Sequence, residues 1–237
     1  MNRFSFAEGY DLMAWHNPEY RKIQQDFTDF LKRFTDKKPE RILDAGAGTG
    51  NFSIRAALQF PEAEVWHVES NPELLALAKE KCQSLQLENI RFVQSTIQDF
   101  SPPVKFDLLV SVHALYTTPK PKEVLRNLVH SGLNDGAPVF LCDLGRRLNL
   151  AKWRNFMVSH LIEKRGVQQT IQIFKENLPL HLRQREISRL QQEGVYWLHS
   201  HQAFQKAVIQ AGLAIEEART VYLGDSDLVL ARYQQAG

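Results

Sequence analysis

Arg41-Ile-Leu-Asp-Ala-Gly-Ala-Gly-Thr-Gly-Asn-Phe52 decides the reading of this 237-residue chain. An apolar run, Arg41-Ile-Leu, leads into Asp44 and then into Gly46, Gly48 and Gly50 on alternate positions, before a helical pattern over 52–58. A strand that turns into a helix through glycines lets backbone approach a ligand closely, because no Cβ intervenes. The free N–H groups of the helix start then face that ligand. The segment reads as a nucleotide-type cofactor loop. Its spacing is G-x-G-x-G, with Asn51 where the dinucleotide fingerprint needs its third glycine, so a nicotinamide cofactor is the weakest of the alternatives.

Working outward, strand and helix patterns alternate. Tyr20, Ile23, Phe27, Phe30, Leu31 and Phe34 recur at helical spacing and predict a helix over 17–34. Strands are expected at 41–44, 64–69, 90–94, 106–112 and 138–143, with helices at 71–85 and 122–129 between them. After a departure from this alternation, a helix over 202–212 precedes strands at 214–222 and 228–233, joined by a Gly224-Asp-Ser-Asp turn. Strands separated by single helices call for a parallel sheet with helices on both faces. The last two, with only a turn between them, must run antiparallel to each other.

The Asp44-x-Gly-x-Gly-x-Gly50 form, with an acid before the glycines, resembles the first motif of the class I S-adenosylmethionine-dependent methyltransferases. Five βα units followed by a terminal hairpin is also the order of that family. The resemblance covers roughly 38–145 and 200–234. It implies an α/β, Rossmann-like, doubly wound seven-stranded sheet, parallel except for a C-terminal antiparallel hairpin. The whole of 1–237 is then one methyltransferase domain, with an N-terminal helical flap over 1–37 and a helical lid insertion over 146–196. Leu150, Trp153, Met157 and Leu161 mark the stripe of the insertion's first helix, ending near Gly166, with further pieces at 167–178 and 180–194.

Open α/β sheets bind ligands at the carboxyl ends of their strands. The resemblance therefore assigns S-adenosyl-L-methionine to Asp44, Ala45, Gly46, Gly48 and Gly50, and to Glu69 and Ser70 at the second strand end. A carboxylate at Glu69 accepts both ribose hydroxyls. The family usually places an acid after the third strand for the adenine amino group; here Thr96 stands there, with Ile97 covering the ring, and Asp99 reads as a turn residue. Ser111 and Val112 end the fourth strand. His113 follows as the candidate base and Tyr116 as substrate wall or hydrogen-bond donor. The Asn/Asp-Pro-Pro-aromatic tetrad of the nucleic-acid amino-methyltransferases is absent, which argues against DNA or RNA bases as acceptors.

Tyr10 and Trp15 on the flap, Trp153 on the insertion, and Tyr196, His199 and His201 at its end are the candidate substrate contacts. The His199-x-His201 pair has no nearby carboxylate or cysteine in sequence to complete a metal site, so no metal is expected. Between residues 146 and 189 ten Lys/Arg stand against three Glu, a net +7 in a chain whose total is +2. That segment reads as a solvated face, as a lid that attracts an anionic small molecule, or as a surface for anionic lipid or RNA.

Cys82 and Cys142 belong to no C-x-x-C pattern, and no apolar run is long enough to span a bilayer. A cytoplasmic monomer or homodimer is expected. The function that follows is methyl transfer to oxygen or nitrogen of a small organic molecule, anionic if the insertion is a charged lid, by in-line displacement. Two alternatives stand beside it: a protein or RNA acceptor docked on the basic insertion, and a non-catalytic cofactor-binding partner subunit.

Overall fold

A computed structural model describes residues 6–35, 37–176 and 178–235; residues 1–5 and 36 of the flap expected over 1–37, and residue 177 of the insertion, lie outside them. Strands β1 (Arg41–Ala45), β2 (Glu64–Glu69), β3 (Ile90–Gln94), β4 (Leu108–Val112), β5 (Pro138–Leu144), β6 (Leu213–Val221) and β7 (Ser226–Tyr233) form one sheet in the order β3-β2-β1-β4-β5-β7-β6. The chain reverses its direction of travel across the sheet between β1 and β4, so the crevice at their carboxyl ends is the switch point where ligands of such sheets bind.

β7 pairs antiparallel with both β5 and β6. It therefore alone opposes the sheet, while β6 runs with β5. β4 starts two residues later than its apolar run suggests. Asp107 turns its carboxylate onto the Glu40 and Arg41 N–H groups, both at 3.0 Å, and Phe106 keeps only an isolated bridge to Leu133.

Helices α1 (Phe6–His16), α2 (Pro18–Leu31), α3 (Ser53–Gln59), α4 (Pro72–Ser84), α5 (Pro121–Gly132), α6 (Leu150–Glu176), α7 (Leu178–Gln192) and α8 (His201–Gln210) complete the fold. α2 begins at an Asn-Pro cap, where Asn17 Oδ1 accepts the Glu19 and Tyr20 N–H groups at 3.0 and 3.3 Å. Its apolar stripe carries Phe27 and Phe30 onto Phe140 of β5, with ring centroids 5.1 and 5.6 Å apart. A second core fills the other face of the sheet, where α5 and α8 bring Leu125, Leu128, Phe204 and Val208 against Leu109, Val139 and Val229. Both faces are thus sealed by apolar contact, which leaves the strand ends as the open side.

The insertion is helical over 150–176 and 178–192, with non-helical ends at 146–149 and 193–196, and α6 breaks at Gly166, where φ 78 and ψ 169 leave the helical region. Met157, Leu161 and Ile173 form a small core of its own, against which Tyr10 of α1 packs. Flap and insertion therefore meet over the strand ends.

Candidate active site

The glycine loop forms the floor of one end of a cavity of about 760 Å³. Gly46 and Ala47 donate their N–H groups to the Val68 carbonyl at 2.9 Å, which folds the loop back over β2. Gly46 has φ +78, and a Cβ on it would lie 2.3 Å from the Ala114 Cβ. Gly48, at φ +57, faces open space and lines the cavity. A side chain at either position would strain the backbone, and at Gly46 it would also collide with the chain after β4.

Glu69 stands beside the loop. Its Oε2 accepts the Gly48 N–H at 2.9 Å and its Oε1 the Asn71 N–H at 2.7 Å. Each carboxylate oxygen carries two acceptor positions; Oε1 also takes the Ser70 hydroxyl at 3.4 Å, so Oε2 keeps one, beside the cavity wall that Ser70, Thr96, Ile97 and Gln98 continue. This cradle of backbone and one carboxylate suits a nucleoside with vicinal hydroxyls. α1 is pinned to the outer side of the loop by Asp11, which accepts from Thr49 at 2.5 Å, Asn51 at 3.2 Å and Lys81 at 2.8 Å.

The other end of the cavity is built by elements far apart in sequence. His113 follows β4 in a left-handed conformation, φ 52, which few non-glycine residues adopt. Its Nε2 lies 2.9 Å from the Ser226 Oγ, and no hydrogen bond engages its Nδ1 among the described residues. Burial pushes its pKa down to about 4, so the ring is neutral at physiological pH. Tyr222, also left-handed, packs 4.9 Å from His113 and 4.3 Å from Trp153, measured between ring centroids. Trp153 is held by its indole N–H, which donates to Asp225 at 2.6 Å. Tyr116 and Tyr196 meet edge to face at 5.3 Å.

Of the residues expected from sequence, Tyr10, Gly46, Gly48, Glu69, Ser70, Thr96, Ile97, Val112, His113, Tyr116, Trp153 and Tyr196 line this one cavity. Seven do not. Asp44 is buried beneath the loop and accepts from Ser53 Oγ at 2.5 Å, which in turn meets His67 Nδ1 at 2.9 Å. Burial raises its pKa to about 7, against the opposing pull of the Ser53 hydrogen bonds. It shapes the loop from below. Ala45 is buried in β1, and Gly50 packs toward Ala78 and Ile54. Ser111 spends its hydroxyl on the Ala45 carbonyl at 2.8 Å. Trp15 is 67% exposed. Tyr10 and Ala14, four residues apart, take the inner face of α1, and the next position is turned away by a further ~100°.

His199 and His201 serve the root of the insertion instead. The His199 ring is buried, with Nδ1 3.3 Å from Asp227 and Nε2 3.6 Å from Asp143. Burial alone would lower its pKa, but the two carboxylates outweigh that and raise it. His201 Nδ1 meets Asp227 at 2.7 Å, and Arg146 grips the same carboxylate with both guanidinium nitrogens. Asp227 is accordingly held well below the usual carboxylate range, the three partners overcoming its burial. Gln191 joins the two ends of the insertion, accepting from Leu148 N–H at 3.0 Å and donating to the Arg146 carbonyl at 3.1 Å.

Thr96 lines the cavity, but its hydroxyl donates to Asp99 at 2.6 Å, closing the turn there. Asn17, Tyr20, Tyr222, Leu148 and Ile187 also line the cavity and were not legible as site residues. Asn17 and Tyr20 carry ordinary helix-start and helix-stripe signals, and Tyr222 reads as a strand end. No Lys or Arg of the insertion is among the described lining residues of the cavity.

A family model described as a methyltransferase domain matches residues 36–211. The chain is 28% identical over 130 residues to malonyl-[acyl-carrier protein] O-methyltransferase 1 of Ilyobacter polytropus, covering 54% of this chain and 47% of that protein. It is 32% identical over 120 residues to trans-aconitate 2-methyltransferase of Deinococcus radiodurans, covering 49% and 44%. It thus spans about half the length of the curated relatives it matches. The structure of magnesium protoporphyrin IX methyltransferase from Synechocystis with bound S-adenosylhomocysteine superposes with a TM-score of 0.62 at 16% identity, covering 95% of this chain and 94% of that one.

Proposed function

The chain belongs to the class I S-adenosylmethionine-dependent methyltransferases, and from that premise we propose that it methylates an oxygen or nitrogen atom of a small organic molecule. The observation that carries this reading is the single cavity joining two chemically different ends. The glycine loop and Glu69 lie at one end, and His113 with the aromatic side chains under the insertion lies at the other.

S-adenosylmethionine, when bound, supplies a methyl group already activated as a sulfonium, so the protein's task is chiefly proximity and alignment. Gly46 and Gly48 admit the donor to the backbone, Glu69 accepts its ribose hydroxyls, and Ile97 covers the adenine beside Thr96. His113 is assigned as the group that takes the acceptor's proton. Burial keeps the ring neutral, and in the tautomer that donates from Nε2 to Ser226 Oγ, Nδ1 is the accepting nitrogen. Tyr116 and the flap close the cavity around the acceptor and exclude water. Titration calorimetry against S-adenosylhomocysteine and against NAD tests the reading. Binding of the first and not the second is expected; the reverse result would sink it.

A further inference from the structure

Five of the chain's six tyrosines, Tyr10, Tyr20, Tyr116, Tyr196 and Tyr222, line the one cavity, together with Trp153. They come from α1, α2, the segment after β4, the end of the insertion, the β6–β7 turn and α6, so no local sequence feature brings them together. Only Tyr233 stands elsewhere, bonded to His130. Between these rings Leu144, Leu148, Leu150 and Ile187 fill the wall. Among the described lining residues the one formally charged side chain is Glu69, and it sits at the glycine-loop end, already engaged by two backbone N–H groups.

Six of the insertion's basic side chains lie outside the cavity, and no Lys or Arg is among its described lining residues. Arg146 is held by Asp227, Lys152 donates to the Leu223 carbonyl and Arg189 pairs with Glu193. Arg154, Lys164 and Arg165 are exposed. A carboxylate or phosphate placed beneath the insertion would be desolvated with no described counter-ion, a costly arrangement. An ammonium group fares no better, because Glu69, at the other end, is the one carboxylate among the described lining residues and the donor's own sulfonium is positive. The walls resist charge on themselves as well. Burial pushes the Tyr10, Tyr20 and Tyr222 hydroxyls up and His113 down, so all four are neutral at physiological pH.

We infer that the acceptor is an uncharged molecule built on an aromatic ring, held by edge and face contacts with these side chains. This rests on the methyl-transfer reading above and narrows it to a substrate class. Aromatic pairs prefer offset or edge-to-face contact at centroid distances of about 4.5–7 Å. The walls already use that geometry among themselves, as in Tyr116 against Tyr196, 85° at 5.3 Å. Of the three readings of the insertion's net charge, the solvated face is kept and the lid for an anionic molecule is set aside.

Three probes sharing one ring system separate the cases: 2-naphthol, neutral at pH 7; 2-naphthoate, an anion; and 2-(aminomethyl)naphthalene, a cation. Each is titrated by calorimetry into the full chain saturated with S-adenosylhomocysteine. Naphthol is expected to bind at least about tenfold more tightly than either ion. Tyr196→Ala is expected to lower naphthol affinity by about the same factor, with S-adenosylhomocysteine binding retained as the check on folding. Naphthoate or the ammonium compound binding as tightly as naphthol, or no naphthol binding at all, overturns the inference. The same titrations on the donor-free protein read the preference independently. Failure of S-adenosylhomocysteine to bind therefore counts against the methyl-transfer reading, while the order of the probes decides the substrate class.

Discussion

Glu69→Ala probes the one carboxylate that faces the cofactor end of the cavity. The side chain is 8% exposed and already accepts two backbone N–H groups, Gly48 at 2.9 Å and Asn71 at 2.7 Å. One acceptor position remains on Oε2, and on Oε1 a ribose hydroxyl can replace the Ser70 hydroxyl, which donates from 3.4 Å. Hydrogen bonds to a charged group are worth about 1.5–3 kcal/mol each. Water entering the space left by alanine recovers part of both, and a net loss of about 2 kcal/mol is expected for the pair. That is about a 30-fold rise in Kd for S-adenosylhomocysteine. The free protein also loses the acceptor that holds Gly48 and Asn71 in register, at about 1–2 kcal/mol, or roughly 3–6 °C in Tm for a chain of this size. Calorimetric titration reads the first effect and scanning calorimetry the second. Glu69→Gln keeps the shape but aims an amide NH₂ at one of two N–H donors, so it should lose affinity to a similar degree. A Kd within about threefold of the unaltered protein for the alanine variant would refute the ribose assignment.

Two further predictions concern stability. Burial pushes His67 and His113 both down to about 4, below the ~6.5 of the unfolded chain, so the stability they contribute is present above about pH 6.5 and is lost as pH falls toward 4. Asp44, raised by burial to about 7, and Asp143, also raised by burial, act in the opposite sense over that window, so the histidine contribution is read by difference. The Tm of the unaltered protein relative to that of His113→Asn, whose new residue tolerates the left-handed backbone, should fall from pH 6.5 to pH 4.5; an unchanged difference would show that His113 is not buried neutral. Asp227→Ala removes the carboxylate shared by Arg146, His199 and His201. Breaking a buried ion cluster from one side costs about 3–5 kcal/mol, so scanning calorimetry should show Tm lower by about 10 °C, and an unaltered Tm would dismiss the cluster as the anchor of the insertion.

Residues that act through their neighbours in sequence could be read directly. The glycine loop, the strand ahead of it and the acid at the next strand end lie within one βαβ unit, where spacing alone dictates geometry. The alternation of apolar runs with helix stripes, together with the Asn17-Pro18 and Asn71-Pro72 caps, likewise set element order and hence the sheet, because period and capping are local properties of the chain. A +7 segment was equally visible as a charge count, but not its direction. Where a helix side chain points depends on the face that packs, and Met157, Leu161 and Ile173 turn the apolar stripe inward and leave Arg154, Lys164 and Arg165 in solvent.

His199 and His201 show the same limit. Their carboxylate partners, Asp143 and Asp227, lie 56 and 28 residues from His199 in sequence, and only the pairing of β5 with β7 sets them opposite each other. The cavity wall is the extreme case. Tyr10, Tyr116 and Tyr196 are expected there from sequence, but Tyr20 and Tyr222 read as ordinary helix-stripe and strand-end residues. The convergence of all five from separate segments is a product of crossover connections that no local pattern encodes. The donor's identity therefore belongs to the sequence, since one contiguous loop specifies it, whereas the character of the acceptor belongs to the tertiary structure, since only packing brings its walls together.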